Sequence, residues 1–238
     1  MNHFRAVTIA LAATTCSSGT ALGQYVAETL HAPGRISGTV TYTGSPPSLP
    51  PEARDKNPEV CGSTHENQTL QLGPQGGLKN VVVYLKDIKA GKALVPVVAD
   101  LDQSGCTYVP HVQALPVGST LNLLNHDPLL HNIHALEDGS TIFNYAMPQS
   151  VRKIPKRLAK PGFLAVKCDV HAWMNGVVAV LANPYFAVTD LNGNFTIDEI
   201  PPGTYTIAAW QERLGEKSQS VTLGASETAK TRFTFSGQ

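Results

Sequence analysis

Residues 162–182 read GFLAVKCDVHAWMNGVVAVLA. Two short apolar runs flank a polar loop. The loop holds a thiol, an imidazole and a thioether, on Cys168, His171 and Met174. Short apolar runs bounded by glycine read as strands, so the stretch is strand, turn, strand. On a straight strand, residues three apart point to opposite faces. A compact turn instead lets Cys168, His171 and Met174 converge on one point. All three side chains can bind a soft metal.

A second stretch, NHDPLLHNIHAL at 125–136, supplies imidazoles. His131 and His134 lie three apart and cannot face one metal from a regular strand. Pro128 and the leucine pair bend the chain just before His131, which places that residue where a loop enters a strand. Two imidazoles and a thiolate with a weak thioether describe a type 1 copper site. Methionine is a poor zinc ligand, which counts against zinc. The rival reading makes Cys168, His171 and Met174 ordinary packing residues.

The pattern is β throughout, and the chain is expected to be all-β. Strands are expected near RISGTVTYT, NVVVYLKDI, ALVPVVADL, STLNLLNH, HNIHAL, GFLAVKCD, GVVAVLA, FAVTD, NFTIDEI, GTYTIAAW and SQSVTLG. No segment carries a long 3.6-residue apolar period. TGSPPSLPPEARDKNPE holds five prolines and reads as a loop or arm, with a weak helix signal near Pro51–Asn57. LGPQGGLK is a tight connection. DLNGNF sets Asn192-Gly193 between two strand runs, a strong hairpin signal.

With 238 residues, 42% of them hydrophobic, the chain suits one large domain or two small ones. Charged residues are 15% and the formal net charge is zero, so no nucleic-acid partner is expected. Residues 1–23 read as a signal peptide: one arginine, a short apolar run, then small residues before Gln24. A rival reading lipidates Cys16, which Thr15 suits poorly. No segment is long enough to span a membrane. The expected location is periplasmic or secreted. Loss of Cys16 with the signal leaves Cys61, Cys106 and Cys168. An odd count outside the cell suggests one disulfide, Cys61–Cys106, and one thiol with another task. Cys61 and Cys106 both reduced and buried is the alternative.

LHNIHAL followed by VKCDVHAWMNGVVAV resembles the cupredoxin family, in its plastocyanin- and amicyanin-like branch. YVPHVQALPVGSTLNLLNHD is similar to the strand pair ahead of that family's first histidine ligand. The resemblance covers roughly 95–183 and implies a Greek-key β-sandwich holding one type 1 copper. It makes His131 and His171 the imidazole ligands, Cys168 the thiolate and Met174 the axial ligand. Asn132 corresponds to the residue that steadies the ligand loop. The exposed edge of His171 would be the electron's route. Ala172 departs from the family, where a proline is usual. Trp173 reads either as packing over the copper or as a core aromatic.

The flanks resemble something else. GRISGTVTYTGSPP and LKNVVVYLKDI, with PYFAVTDLNGNFTIDEIPPGTYTIAAWQE, are similar to a carboxypeptidase regulatory-like module, a small transthyretin-type β-sandwich. The resemblance implies one sandwich in two pieces, 34–92 and 184–236, with the cupredoxin inserted; a tandem order is the alternative.

The leading function is one-electron transfer through a mononuclear copper, with an unidentified redox protein as partner. The alternative is a binding module working through a weak surface on the flanking sandwich, with copper structural or absent. Catalysis is not expected: no His-x-His pairs, nucleophile elbow, phosphate loop or paired catalytic carboxylates stand out. His65 and His111 read as surface or core residues rather than a second metal site, and His126 as a solvated loop residue.

Overall fold

The computed structural model describes residues 25–237. The signal peptide expected at 1–23, with Cys16, lies outside the described residues. The fold is all-β, and its main strands form two pairs of sheets with separate cores.

The middle of the chain makes the inner pair. One sheet runs Ser140–Met147, His131–Glu137, Gly162–Lys167, Asn175–Leu181, Val112–Pro116. The other runs Lys153–Arg157, Thr120–Asn125, Val98–Gln103, Tyr108–Val109. Between them pack Leu101, Leu121, Leu123, Ile133, Val166 and Val178, all buried.

The two ends of the chain make the outer pair. Phe186–Val188, Val82–Leu85, Gly203–Gln211 and Gly215–Leu223 form one sheet. Asn194–Ile200, Gly34–Thr43 and Thr228–Ser236 form the other. The terminal strand lies parallel to Gly34–Thr43, so the ends of this unit are hydrogen-bonded to each other. Ile36, Val40 and Tyr42 alternate inward from one strand, Ala229, Phe233 and Phe235 from its partner. Period-two burial of this kind is expected of sheets with one solvated face.

Two strands break the alternation for one reason. Val81, Val82 and Val83 are all fully buried, and so is nearly every residue of Asn175–Leu181. Val83 and Val178 face their own cores, whereas Val82, Val177, Ala179 and Leu181 meet in a third cluster between the two sheet pairs. Tyr84, Phe163, Phe186 and Trp210 border that seam, with the Phe163 and Trp210 rings 4.6 Å apart. The continuous apolar runs NVVVYL and GVVAVLA therefore mark strands covered on both faces. His111 adds a polar tie, its Nε2 lying 2.5 Å from Glu212 Oε1.

The hairpin at 190–194 turns through Gly193, whose φ is +75°. A Cβ there would sit 2.0 Å from the Val40 carbonyl oxygen, so only glycine fits. The Asp190 carboxylate accepts from the Asn192 and Asn194 N–H groups at 2.9 and 2.8 Å.

Among the longer strands, Ser140–Met147, Lys153–Arg157 and Thr228–Ser236 were not expected. All three lie at sheet edges, and an edge strand needs few apolar residues. ALVPVVADL pairs only from Val98, because Pro96 cannot donate to a ladder. The helix expected near Pro51–Asn57 is instead a single turn, Pro58–Cys61, with the proline in its first turn, where no N–H is needed.

Candidate metal centre

The strands His131–Glu137 and Gly162–Lys167 are antiparallel neighbours, with His134 opposite Lys167. His131, at the start of one, therefore meets the loop that leaves the end of the other. That loop is tight: Cys168 N–H donates to the Met174 carbonyl at 3.2 Å and Met174 N–H to the His171 carbonyl at 3.0 Å. Asn132 pins it from the neighbouring strand. Its Oδ1 accepts from the Asp169 N–H at 2.7 Å and from the Cys168 thiol at 3.3 Å, and its Nδ2 donates to Asp169 Oδ2 at 2.9 Å.

His131, Cys168 and His171 meet in the interior, their donor atoms within 4.8 Å of one another. His131 Nδ1 lies 2.9 Å from His171 Nδ1, and Cys168 Sγ lies 3.8 Å from that same nitrogen. At zinc-like bond lengths of about 2.0 Å to nitrogen and about 2.3 Å to sulfur, donors sharing one ion lie within about 4.3 Å. The two separations meet that limit, so the residues fit a small metal ion. Met174 closes the loop through its backbone, and its side chain is buried in the same core as Cys168. His134 points elsewhere, its Nδ1 2.9 Å from Asp169 Oδ1 and its Nε2 2.7 Å from Thr141 Oγ1.

The electrostatics prepare the same set. Burial pushes the Cys168 thiol up, but His131 and the surrounding backbone outweigh it and leave the thiol below its ordinary range. Burial pulls His131 down, yet its hydrogen bonds to Asp127 and Cys168 and the charges of those groups raise it overall. His171 is lowered to about 4, first by burial and then by the charges of His131 and Lys56. Two imidazole nitrogens lie 2.9 Å apart, so a charge on His131 disfavours a second one on His171 and adds to the effect of burial there.

Each imidazole is held by its far nitrogen, as metal-binding histidines usually are. His131 Nε2 donates to Asp127 Oδ2 at 2.9 Å. Asp127 in turn accepts from the Gly105 and Cys106 N–H groups, both at 2.8 Å. Burial raises the Asp127 carboxyl, and its hydrogen bonds bring it below the usual range. Cys106, Asp127 and His131 also cluster, but Cys106 is bonded to Cys61, so its sulfur is not a free ligand. His171 Nε2 donates to Asn57 Oδ1 at 3.1 Å. Trp173 Nε1 donates to the Cys106 carbonyl at 3.0 Å, and its ring lies 5.0 Å from that of His171.

One expectation is corrected. His171 was to present an exposed edge, yet it is fully buried because Asn57 and its neighbours lie over it. Asp127 and Asn57 were not foreseen. An acidic residue four before His131 was the available signal for Asp127, whereas nothing in KNPE marks Asn57. Among the other histidines, His126 is 64% exposed and pairs with Asp102, and His65 Nδ1 lies 3.0 Å from Arg54 Nη2.

The family model for polysaccharide lyase family 4, domain II, matches residues 157–231. That is under half of the chain, and it is a different family from the regulatory-like module that the flanks resemble. No curated protein sequence matches. Among solved structures, the chain is similar to a Cu-containing nitrite reductase (NirK) from Thermus scotoductus SA-01. The identity is 24% over 38% of this chain and 24% of that chain, with a TM-score of 0.32. This chain thus spans about a quarter of the reductase's length. It is similar to a purple cupredoxin from Nitrosopumilus maritimus, at 24% identity over 35% of this chain and 99% of that one, TM-score 0.31. A reduced Cu(I) form of an amicyanin mutant gives 21% identity over 37% of this chain and 85% of that one, TM-score 0.32. Each covers little more than a third of this chain, so what the site can do rests on its own geometry.

Proposed function

We propose that this chain is an exported protein that carries single electrons on one type 1 copper, held by His131, Cys168, His171 and Met174. The convergence of two imidazole nitrogens and the only free cysteine sulfur among the described residues carries this reading. Copper suits the set because thiolate, imidazole and thioether together serve both Cu(I) and Cu(II). When bound, the metal supplies the one-electron couple.

The chain's own residues hold the site ready. Cys168 offers a thiol already biased toward thiolate. His171 offers a neutral ring at neutral pH. Asp127, Asn57 and Asn132 fix the ring and sulfur orientations, so little ligand movement is needed when the charge changes. Asn132, hydrogen-bonded to the sulfur, tunes its electron density. The chain acts as a carrier rather than an enzyme, with another redox protein as partner. The copper-binding sandwich is an insertion in the flanking one, and the protein works outside the cytoplasm. Among the described residues no helix is long and apolar enough to cross a membrane.

The test is a Cu(II) titration of the full chain followed in the visible region, with Cys168→Ser alongside. One equivalent of copper should give an intense thiolate-to-copper band that the variant lacks. No band in the natural chain would overturn the proposal.

A further inference from the structure

The metal centre has a cover. His171 is fully buried, although it sits on a loop at the end of a sheet, and the residues burying it come from far away in sequence. Asn57 meets its Nε2 at 3.1 Å, across 114 positions. The preceding Lys56 donates from Nζ to the Val170 carbonyl at 3.0 Å, gripping the ligand loop itself. Arg54 lies over Trp173, its guanidinium carbon 5.8 Å from the ring centroid, and donates to the Cys61 carbonyl. The far end is fixed by the Cys61–Cys106 disulfide. The Cys106 N–H rests on Asp127, the carboxylate that supports His131. One covalent link thus joins the cover of one imidazole to the support of the other.

We infer that residues 54–61 form a strap that closes the metal centre, with Asn57 positioning His171 beneath it. What lies under the strap rests on the copper reading above, whereas the closure is a property of the metal-free chain as well. Asn57 has φ +51°, a left-handed conformation that asparagine tolerates better than most residues. Its amide oxygen accepts the Nε2 proton of His171, which leaves Nδ1 facing His131 and Cys168. With the strap down, neither water nor a partner touches the imidazole edge. Small reagents reach the ring only when the strap lifts.

The test is acylation of histidines in the metal-free full chain by diethyl pyrocarbonate, mapped by peptide mass spectrometry. His126, 64% exposed, is the internal reference. His171 should react at least about tenfold more slowly than His126, the factor set by an opening free energy of about 1.4 kcal/mol. Asn57→Gly keeps the backbone conformation, removes the latch and should raise the His171 rate roughly tenfold. Asn57→Asp keeps an acceptor and should restore protection. Lys56→Ala releases only the Val170 contact and should give a smaller rise, a second route should Asn57→Gly fail to fold. A His171 as reactive as His126 in the natural chain, or one unmoved by both Asn57→Gly and Lys56→Ala, would overturn the inference. In the copper-loaded chain, reduction by hexacyanoferrate(II) should run faster in Asn57→Gly than in the natural chain; equal rates would count against the strap. A protected His171 with no visible copper band would overturn the copper reading alone. A normal band with a reactive His171 would overturn the strap alone.

Discussion

The two sheet pairs use their interiors differently. The outer core is made of Ile, Val, Leu, Phe, Tyr and Ala, and among the described residues no carboxyl, imidazole or thiol is buried in it. The inner pair buries His111, Asp127, His131, Cys168 and His171, together with Asn125 and Asn132. Burying such groups costs several kcal/mol each unless every one finds a partner. His111 finds Glu212 across the seam, and the others are satisfied where two loops meet, by one another, by Asn57 and by nearby backbone groups. The outer pair has an apolar interior; the inner pair gives up stability to a polar chamber.

Removing the disulfide tests the cost of that chamber most severely. The Cys61–Cys106 bond closes a loop of 45 positions, and the double variant Cys61→Ser with Cys106→Ser should lose about 4 kcal/mol in denaturant unfolding. The loss should appear with weakened copper binding, because Cys106 supports Asp127. Unchanged copper affinity would break the link drawn between strap and ligands.

Asp127→Asn acts on the chamber alone. Losing the charged partner of His131 should weaken copper binding about 10–100-fold by competition against a chelator of known affinity. Asp190→Ala is the matching change in the outer pair, where it removes the acceptor from the 190–194 hairpin. It should cost about 0.5–1.5 kcal/mol in a denaturant melt and leave the copper band alone. A shift in that band would show that the two regions are not separate in function.

The pH dependence of the metal-free chain reads the chamber without any substitution. His171 is depressed to about 4 in the fold, so between pH about 6.5 and about 4 the unfolded chain binds its proton and the native chain does not. Stability falls as the pH drops through that window. His131 is raised, so its contribution is complete below about 6.5 and is lost as the pH climbs through its folded value. The summed contribution of these two rings is therefore largest near pH 6.5, and His171→Gln should flatten the acid side of the denaturant midpoints. An acid side unmoved by that substitution would contradict the lowering of His171.

The sequence made the β class plain, because turn residues separate its apolar runs throughout. The site was legible as far as chemistry is local: Cys168, His171 and Met174 lie within seven residues, and a bend marks His131. The seam between the sheet pairs was written in NVVVYL and GVVAVLA, but one sequence does not say what covers a second face. Asn57 was invisible, since its partner lies 114 positions away and neither residue signals the other. The burial of His171 went unseen for that reason, and the expectation of an open edge came from resemblance alone.

The most direct test of the proposed copper site is copper K-edge X-ray absorption on the full chain loaded with one equivalent of Cu(II). Two imidazole nitrogens and one short sulfur are expected around the metal, with the sulfur lost in Cys168→Ser. A shell of nitrogen and oxygen donors alone, unchanged by that substitution, would contradict it.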